Sequence, residues 1–195
     1  RKGMLKVWNM VLVFFTYGMT VFGTFLTRSG VVSSVHSFAQ SDLGPFFVVF
    51  MSVTALIAIG LLVFRLPQLK SENQLESFAS RETAFLLNNW ILLGILFAVL
   101  WGTLFPVLSE AFTGDKITVG APFFNSVITP LSMGLLLLPG AGPLFAWRRT
   151  SAASLKRDFA VPIAATIVAG VAAATLYELH TYAIISLSLC GFVAG

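Results

Sequence analysis

The sequence predicts an all-α polytopic membrane bundle, and three observations carry that expectation. Hydrophobic residues make up 57% of the chain and charged residues only 10%. The apolar residues gather in runs of about twenty, the length of helix that crosses a hydrocarbon core of roughly 30 Å. The runs at 7–26 and 45–64 also lack the charged face that a soluble amphipathic helix shows every few residues. Five full spans are expected, at about 7–26, 45–64, 90–108, 123–147 and 159–177, with a partial sixth at 182–195, all parts of one integral membrane domain covering 1–195.

The first span follows a basic collar of Arg1, Lys2 and Lys6, with Trp8 and Tyr17 as its aromatic punctuation. Its apolar run is longer than the core of a cleaved signal peptide and no Ala-x-Ala-like site follows, so it stays in the membrane. Pro45 suits the first turn of the second span, where a missing N–H costs nothing, and Arg65 is expected to stop it.

Residues 65–89 change character. Arg65, Lys70, Glu72, Glu76, Arg81 and Glu82 alternate with Leu75, Phe78, Phe85 and Leu86 at helical spacing, which predicts an interfacial helix on the cytoplasmic side. Ser71 and Gln74 form a capping box for its start, and Asn88-Asn89 close it. A solvated connector and a docking surface are both open readings of this segment.

Trp90 anchors the third span, and Trp101 and Pro106 mark its far end. A polar loop at 109–122 carries Glu110, Asp115 and Lys116, with Gly114 and Gly120 as turn residues. Pro130, Pro139 and Pro143, with Gly140 and Gly142 between, must kink the fourth span and free carbonyls that neighbours or water satisfy. That break suits either the wall of a cofactor chamber or bending for packing. The fifth span sets Ala165, Ala169 and Ala173, and again Gly170 and Ala174, at spacings that allow close helix contact. After Glu178-Leu179-His180-Thr181 a last apolar run begins at Tyr182 and stops at Gly195, too short to span. With no methionine at position 1, the chain reads as an excerpt of a larger protein.

Charge sets the expected orientation. If the spans alternate, Arg1, Lys2, Lys6, Arg65, Lys70, Arg81, Arg148, Arg149, Lys156 and Arg157 fall on one side, and only Arg28 and Lys116 on the other. The positive-inside rule makes the first side cytoplasmic, or the matrix side of a mitochondrial inner membrane. The net charge of +4 is then topology, and no nucleic acid is needed as a partner. Cys190 is the sole cysteine and lies in an apolar run, so there is neither a disulfide framework nor a Cys-x-x-Cys motif. Redox or metal chemistry would therefore rest on the two histidines, His36 and His180, or on a bound cofactor; both histidines fall on the external side.

His36 lies in the loop 28–44, and that loop resembles a known family. The run Gly23-Thr24-Phe25-Leu26-Thr27-Arg28-Ser29-Gly30-Val31, then Ser34-Val35-His36 and Phe38-Ala39, is similar to the segment after the tryptophan-rich haem-binding domain of the CcmF family, the haem lyase component of cytochrome c maturation. Further strings resemble the same family in the same order. They are Ser80-Arg81-Glu82-Thr83 with Leu86-Leu87-Asn88-Asn89, then Leu100-Trp101-Gly102-Thr103-Leu104-Phe105-Pro106, then Val119-Gly120-Ala121-Pro122-Phe123-Phe124-Asn125. The likeness is good to about Arg149 and weak beyond it. Several motifs in one order are more specific than one short pattern.

The resemblance implies a cytochrome c haem lyase of the bacterial inner membrane, or of the mitochondrial inner membrane if organellar. Its reaction joins the two haem vinyl groups to the thiols of a Cys-x-x-Cys-His motif on apocytochrome c, giving thioethers. His36 falls on the position of an external axial haem ligand, framed by Ser29, Gly30, Ser34 and Val35. Arg28 is a candidate contact for a haem propionate, with interfacial anchoring as its other reading. Haem b is the substrate, and a resident membrane haem b belongs to the complete protein, but the family's membrane histidines match nothing here. No motif around His180 matches, so it receives no haem role. No catalytic nucleophile is assigned in this chain, because the acceptor brings its own thiols and the protein supplies positioning and iron ligation. The implied partners are a haem chaperone, apocytochrome c, a thiol-handling apocytochrome-binding subunit and the lipid bilayer.

Two rival readings come from other classes. The proline-broken fourth span suits a transporter, although midplane charges and an inverted repeat are missing. The alanine-rich fifth span suits a non-catalytic structural subunit of a membrane complex.

Overall fold

The computed structural model describes residues 5–30, 42–69, 77–147, 149–176 and 178–195, and among them every regular element is a helix. In chain order these are α1 (Lys6–Arg28), α2 (Gly44–Leu69), α3 (Arg81–Thr113), α4 (Ala121–Ala141) with a 3-10 turn (Gly142–Leu144), α5 (Ala152–Asp158), α6 (Ala160–Leu176) and α7 (Thr181–Ala194). They form two compact units, Arg1–Gln74 and Leu75–Gly195. The helices α1, α2, α3 and α4 with its 3-10 turn are long and apolar enough to cross a membrane; α5 and α6, bent by 41°, add a fifth if they count as one span. The 14-residue α7 is apolar but shorter.

In the first unit α1 and α2 pair, and the end of one meets the start of the other: a β-carbon on Gly44 would lie 3.6 Å from Ser29 Cβ. No described residue of either helix is buried, and Phe15, Phe46, Leu56 and Phe64 are exposed. A water-facing surface of this kind would aggregate; a lipid-facing one is the normal state of a membrane helix. Arg65 does not stop α2, which continues to Leu69 through Pro67. A charge ends the apolar window, but arginine is a good helix former, and Arg65 Nη1 donates to Gln68 Oε1 one turn on at 2.7 Å. The Ser71 and Gln74 capping box lies outside the described residues.

The second unit differs more from expectation. Residues 81–89 are not part of a separate interfacial helix: α3 runs unbroken from Arg81 to Thr113, through Asn88-Asn89. Its start is capped by Ser80, whose Oγ accepts from Thr83 N, and its first turns are buried at Thr83 and Ala84, so packing overrides the weak helix preference of asparagine. At 33 residues α3 is about 50 Å long, well beyond the hydrocarbon thickness, so its ends must project from the apolar core. The fourth span stops early: α4 passes through Pro139 and Gly140 and ends at Ala141, where Gly142 and Pro143 turn the chain into a 3-10 turn, and Trp147 lies beyond.

Small residues set the contacts of this unit. Among the described residues the buried hydrophobic ones are Ala84, Ala98, Ala141, Ala173 and Phe192, four of them alanines. A β-carbon on Gly102 of α3 would lie 2.6 Å from Phe124 Cζ of α4, and one on Gly191 of α7 would lie 2.7 Å from both Ala165 O and Ala169 Cβ of α6. These approaches run the helices antiparallel, and they place the predicted alanine face of the fifth span against α7, with Ala173 buried and Ala174 exposed. Close backbone approach is how membrane helices gain contact when lipid is as apolar as their side chains.

Antiparallel packing separates the charges of this unit. Glu110, Asp115 and Lys116 end or follow α3, next to the start of α4, whereas Arg81 and Glu82 open α3, Arg149 precedes α5, and Lys156 and Arg157 lie in the last turn of α5. Within α5, Asp158 accepts from Arg157 Nε at 2.8 Å and from Ser154 Oγ at 2.7 Å. The Arg157 hydrogen bond and then the Ser154 bond hold its carboxyl below the usual carboxylate range.

Candidate functional site

The loop that carries His36 follows the end of α1 and precedes the start of α2. Arg28 is the last residue of α1 and is exposed. Ser29 ends the helix, its N–H donating to Phe25 O at 2.8 Å, and Gly30 adopts φ 72, a left-handed exit that glycine takes without a Cβ clash. Ser34, Val35 and His36 lie outside the described residues. The two loop ends are in contact through Ser29 and Gly44, so the intervening residues begin and end at one point of the hairpin.

Along the middle of the hairpin, α1 and α2 flank an open groove of about 890 Å³. Phe14, Tyr17, Phe22, Met51, Ile57 and Leu61 are among its lining residues, and among the described residues no charged side chain lines it. Its volume lies in the range of small-molecule sites, and its apolar lining suits hydrocarbon. On α1 the hydroxyls of Thr16, Thr20, Thr24 and Thr27 each donate to the carbonyl four residues back, so the hydroxyl protons are satisfied within the helix.

His180 sits at the N-cap position of α7, exposed and without a side-chain cap hydrogen bond. Among the described residues, no three His, Cys, Asp or Glu side chains gather where one metal ion could be held. Cys190 is exposed on α7.

Sequence reasoning missed a polar clamp on the second unit. Arg81 donates from Nε to Phe145 O at 3.2 Å and from Nη2 to Pro143 O, and its backbone N–H donates to Ala146 O at 2.9 Å. The guanidinium also lies 5.1 Å from the Trp147 ring centre. Thr150 completes the fold-back: its N–H donates to Ala79 O at 3.2 Å, and its Oγ1 accepts from Ala146 N at 3.0 Å. Ser80, almost wholly buried, donates to Ser77 O at 2.8 Å. One arginine thus caps, from another helix, carbonyls left without partners where the prolines break α4. The signal in the sequence was the pairing of Ser80-Arg81 with Pro139–Pro143, which no local period reveals.

No protein-family model matches the chain. Individual relatives do. CycK of Rhizobium meliloti is 39% identical over 173 residues, CcmF of Pseudomonas aeruginosa 33% over 192, and CcmF of Escherichia coli 32% over 191; each is described as a cytochrome c-type biogenesis protein. The solved structure of the cytochrome c haem lyase CcmF superposes with a TM-score of 0.72 at 31% identity, covering 98% of this chain. The chain belongs to the CcmF/CycK family of cytochrome c-type biogenesis proteins. It spans about a quarter of the length of these relatives, 25% of CycK and 27% of the solved CcmF chain. The matches reach across 97% of the chain, so the likeness to CcmF extends past Arg149, where isolated motifs fade. Two of the CcmF-like strings meet in space: Gly102 of one lies against Phe124 of the other, and Trp101 and Phe105 stand 5.8 Å apart beside them. A third string, Ser80-Arg81-Glu82-Thr83, forms the clamp.

Proposed function

We propose that the full-length protein is a cytochrome c haem lyase that presents haem on the external face of a bacterial inner membrane, or of its mitochondrial equivalent, for thioether attachment to the Cys-x-x-Cys-His motif of apocytochrome c. What supports this reading is membership of the CcmF/CycK family, together with the His36 loop that resembles its external ligand segment.

In this proposal the neutral imidazole of His36 ligates the haem iron from one axial side. Ser29, Gly30, Ser34 and Val35 shape the loop around it. Arg28, exposed at the helix end, offers a fork of donors to a propionate where a cation needs little desolvation. The protein's contribution is orientation: it holds the vinyl groups near two thiols that arrive with the acceptor, turning a bimolecular encounter into a positioned one. The haem chaperone and the thiol-handling subunit bring the two reactants, and a resident haem b is placed outside this chain's motifs. A transporter or a purely structural subunit would have no use for an external iron ligand.

External presentation has a direct test in the full-length protein. The charge distribution puts Ser37 and Ser151 on opposite faces. Single cysteines at these positions, in a background with Cys190 and any other cysteine replaced, are expected to react with a membrane-impermeant maleimide from opposite sides. Reaction of both from one side would remove the external placement of His36.

A further inference from the structure

Along α4, Asn125, Thr129 and Ser132 recur at intervals of four and three residues, and Leu136 continues the row, so all four share one face over about 17 Å of helix. This face lines an open crevice of about 310 Å³ to which Ser186 of α7 also contributes. Two other faces of α4 pack against α3 and α7. A β-carbon on Gly134 would lie 3.2 Å from Ile91 of α3, and one on Gly140 would lie 2.9 Å from Phe192 of α7.

The crevice carries four polar side chains among apolar ones, where a membrane helix is expected to be apolar. Asn125 and Ser132 are exposed and Thr129 and Ser186 half-exposed, and among the described residues none of these four side chains makes a hydrogen bond. Pro130 has no N–H, so the carbonyl of Ser126 also lacks its helical donor. In lipid such groups would stay unpaired, which is why polar residues of membrane helices face protein or water. Among the described residues no charged side chain lines the crevice, which suits a neutral occupant. Its length of about three turns along one helix is the shape of a helix-packing groove. The solved CcmF chain and the relatives are about four times as long as this chain, so family members carry a large amount of chain beyond the segment matched here.

We propose that the α4 face Asn125–Thr129–Ser132, with Ser186, is the docking surface of a further membrane-spanning helix of the full-length polypeptide, one that brings neutral N–H or O–H groups to the Asn125 amide and the three hydroxyls, beside the Ser126 carbonyl. The assignment rests on α4 being a membrane span and is independent of the haem reading. It gives Pro130 a reason: its missing N–H leaves an acceptor that a neighbouring helix can satisfy.

The test is photocrosslinking in the full-length protein in its native membrane, with p-benzoylphenylalanine at Ser132 and, separately, at Leu136, where the larger side chain replaces an already large one. The expected result is an intramolecular adduct mapped by mass spectrometry to an apolar helix outside residues 1–195. An adduct on phospholipid, an adduct on another protein, or no protein adduct from either position in folded material would overturn the proposal.

Discussion

His36→Ala in the full-length protein is expected to lower cytochrome c maturation by about tenfold or more while leaving its abundance in the membrane near normal. Loss of groups that merely orient a metal ligand already weakens such sites about 10–100-fold, and removing the ligand itself should do no less. Membrane insertion is set by the apolar spans and their flanking charges, to which a loop imidazole contributes little. His180→Ala is the matched comparison. It removes the other histidine, at an exposed N-cap position with no side-chain cap bond, and should leave maturation largely intact. Haem staining of c-type cytochromes, read at equal lyase abundance, checks both. Equal loss in the two variants would return the loop to a structural role.

The second large effect is expected at Arg81. Its guanidinium serves the carbonyls of Pro143 and Phe145 and stacks on Trp147, so Arg81→Ala strands acceptors where α4 breaks. Hydrogen bonds from charged donors contribute about 1.5–3 kcal/mol each when their partners cannot turn to water. Arg81 is only half-buried, which places the expected loss near the low end, about 2 kcal/mol. Arg81→Lys should recover only part of it, since an ammonium cannot span two carbonyls as a planar fork does. Thermal unfolding of the detergent-solubilised full-length protein measures both variants. Unchanged midpoints in Arg81→Ala would show that the clamp contributes nothing to stability.

Fold class was legible because hydropathy reports on solvent, and lipid acts on every span alike. What periodicity could not show was where helices continue through polar residues. Asn88 and Asn89 look like a stop, yet α3 passes through them because Ser80 caps its start and Ala84 packs against Gly142. Arg65 likewise ends an apolar window and not a helix. The α6–α7 contact was half legible: Ala165, Ala169 and Ala173 announce a packing face, but its partner, Gly191, stands on a run too short to attract notice as a span. From sequence alone Arg81 is one charge on a surface helix, since its carbonyl partners lie more than sixty residues away. For the candidate site, the loop's position between two spans was visible from hydropathy. The role of His36 came from resemblance, because a lone histidine carries no spacing that distinguishes a ligand from a solvated side chain.

Iron ligation by His36 is most directly read from the electron paramagnetic resonance spectrum of ferric haem in the purified full-length protein. Wild type and His36→Ala would be compared at matched protein and haem, with the component common to both subtracted. If His36 is an axial ligand, the difference spectrum should show a low-spin signal in the wild type that gives way to a high-spin signal in the variant, and added imidazole should restore the low-spin form by filling the vacated position. An unchanged low-spin signal in His36→Ala would contradict the assignment.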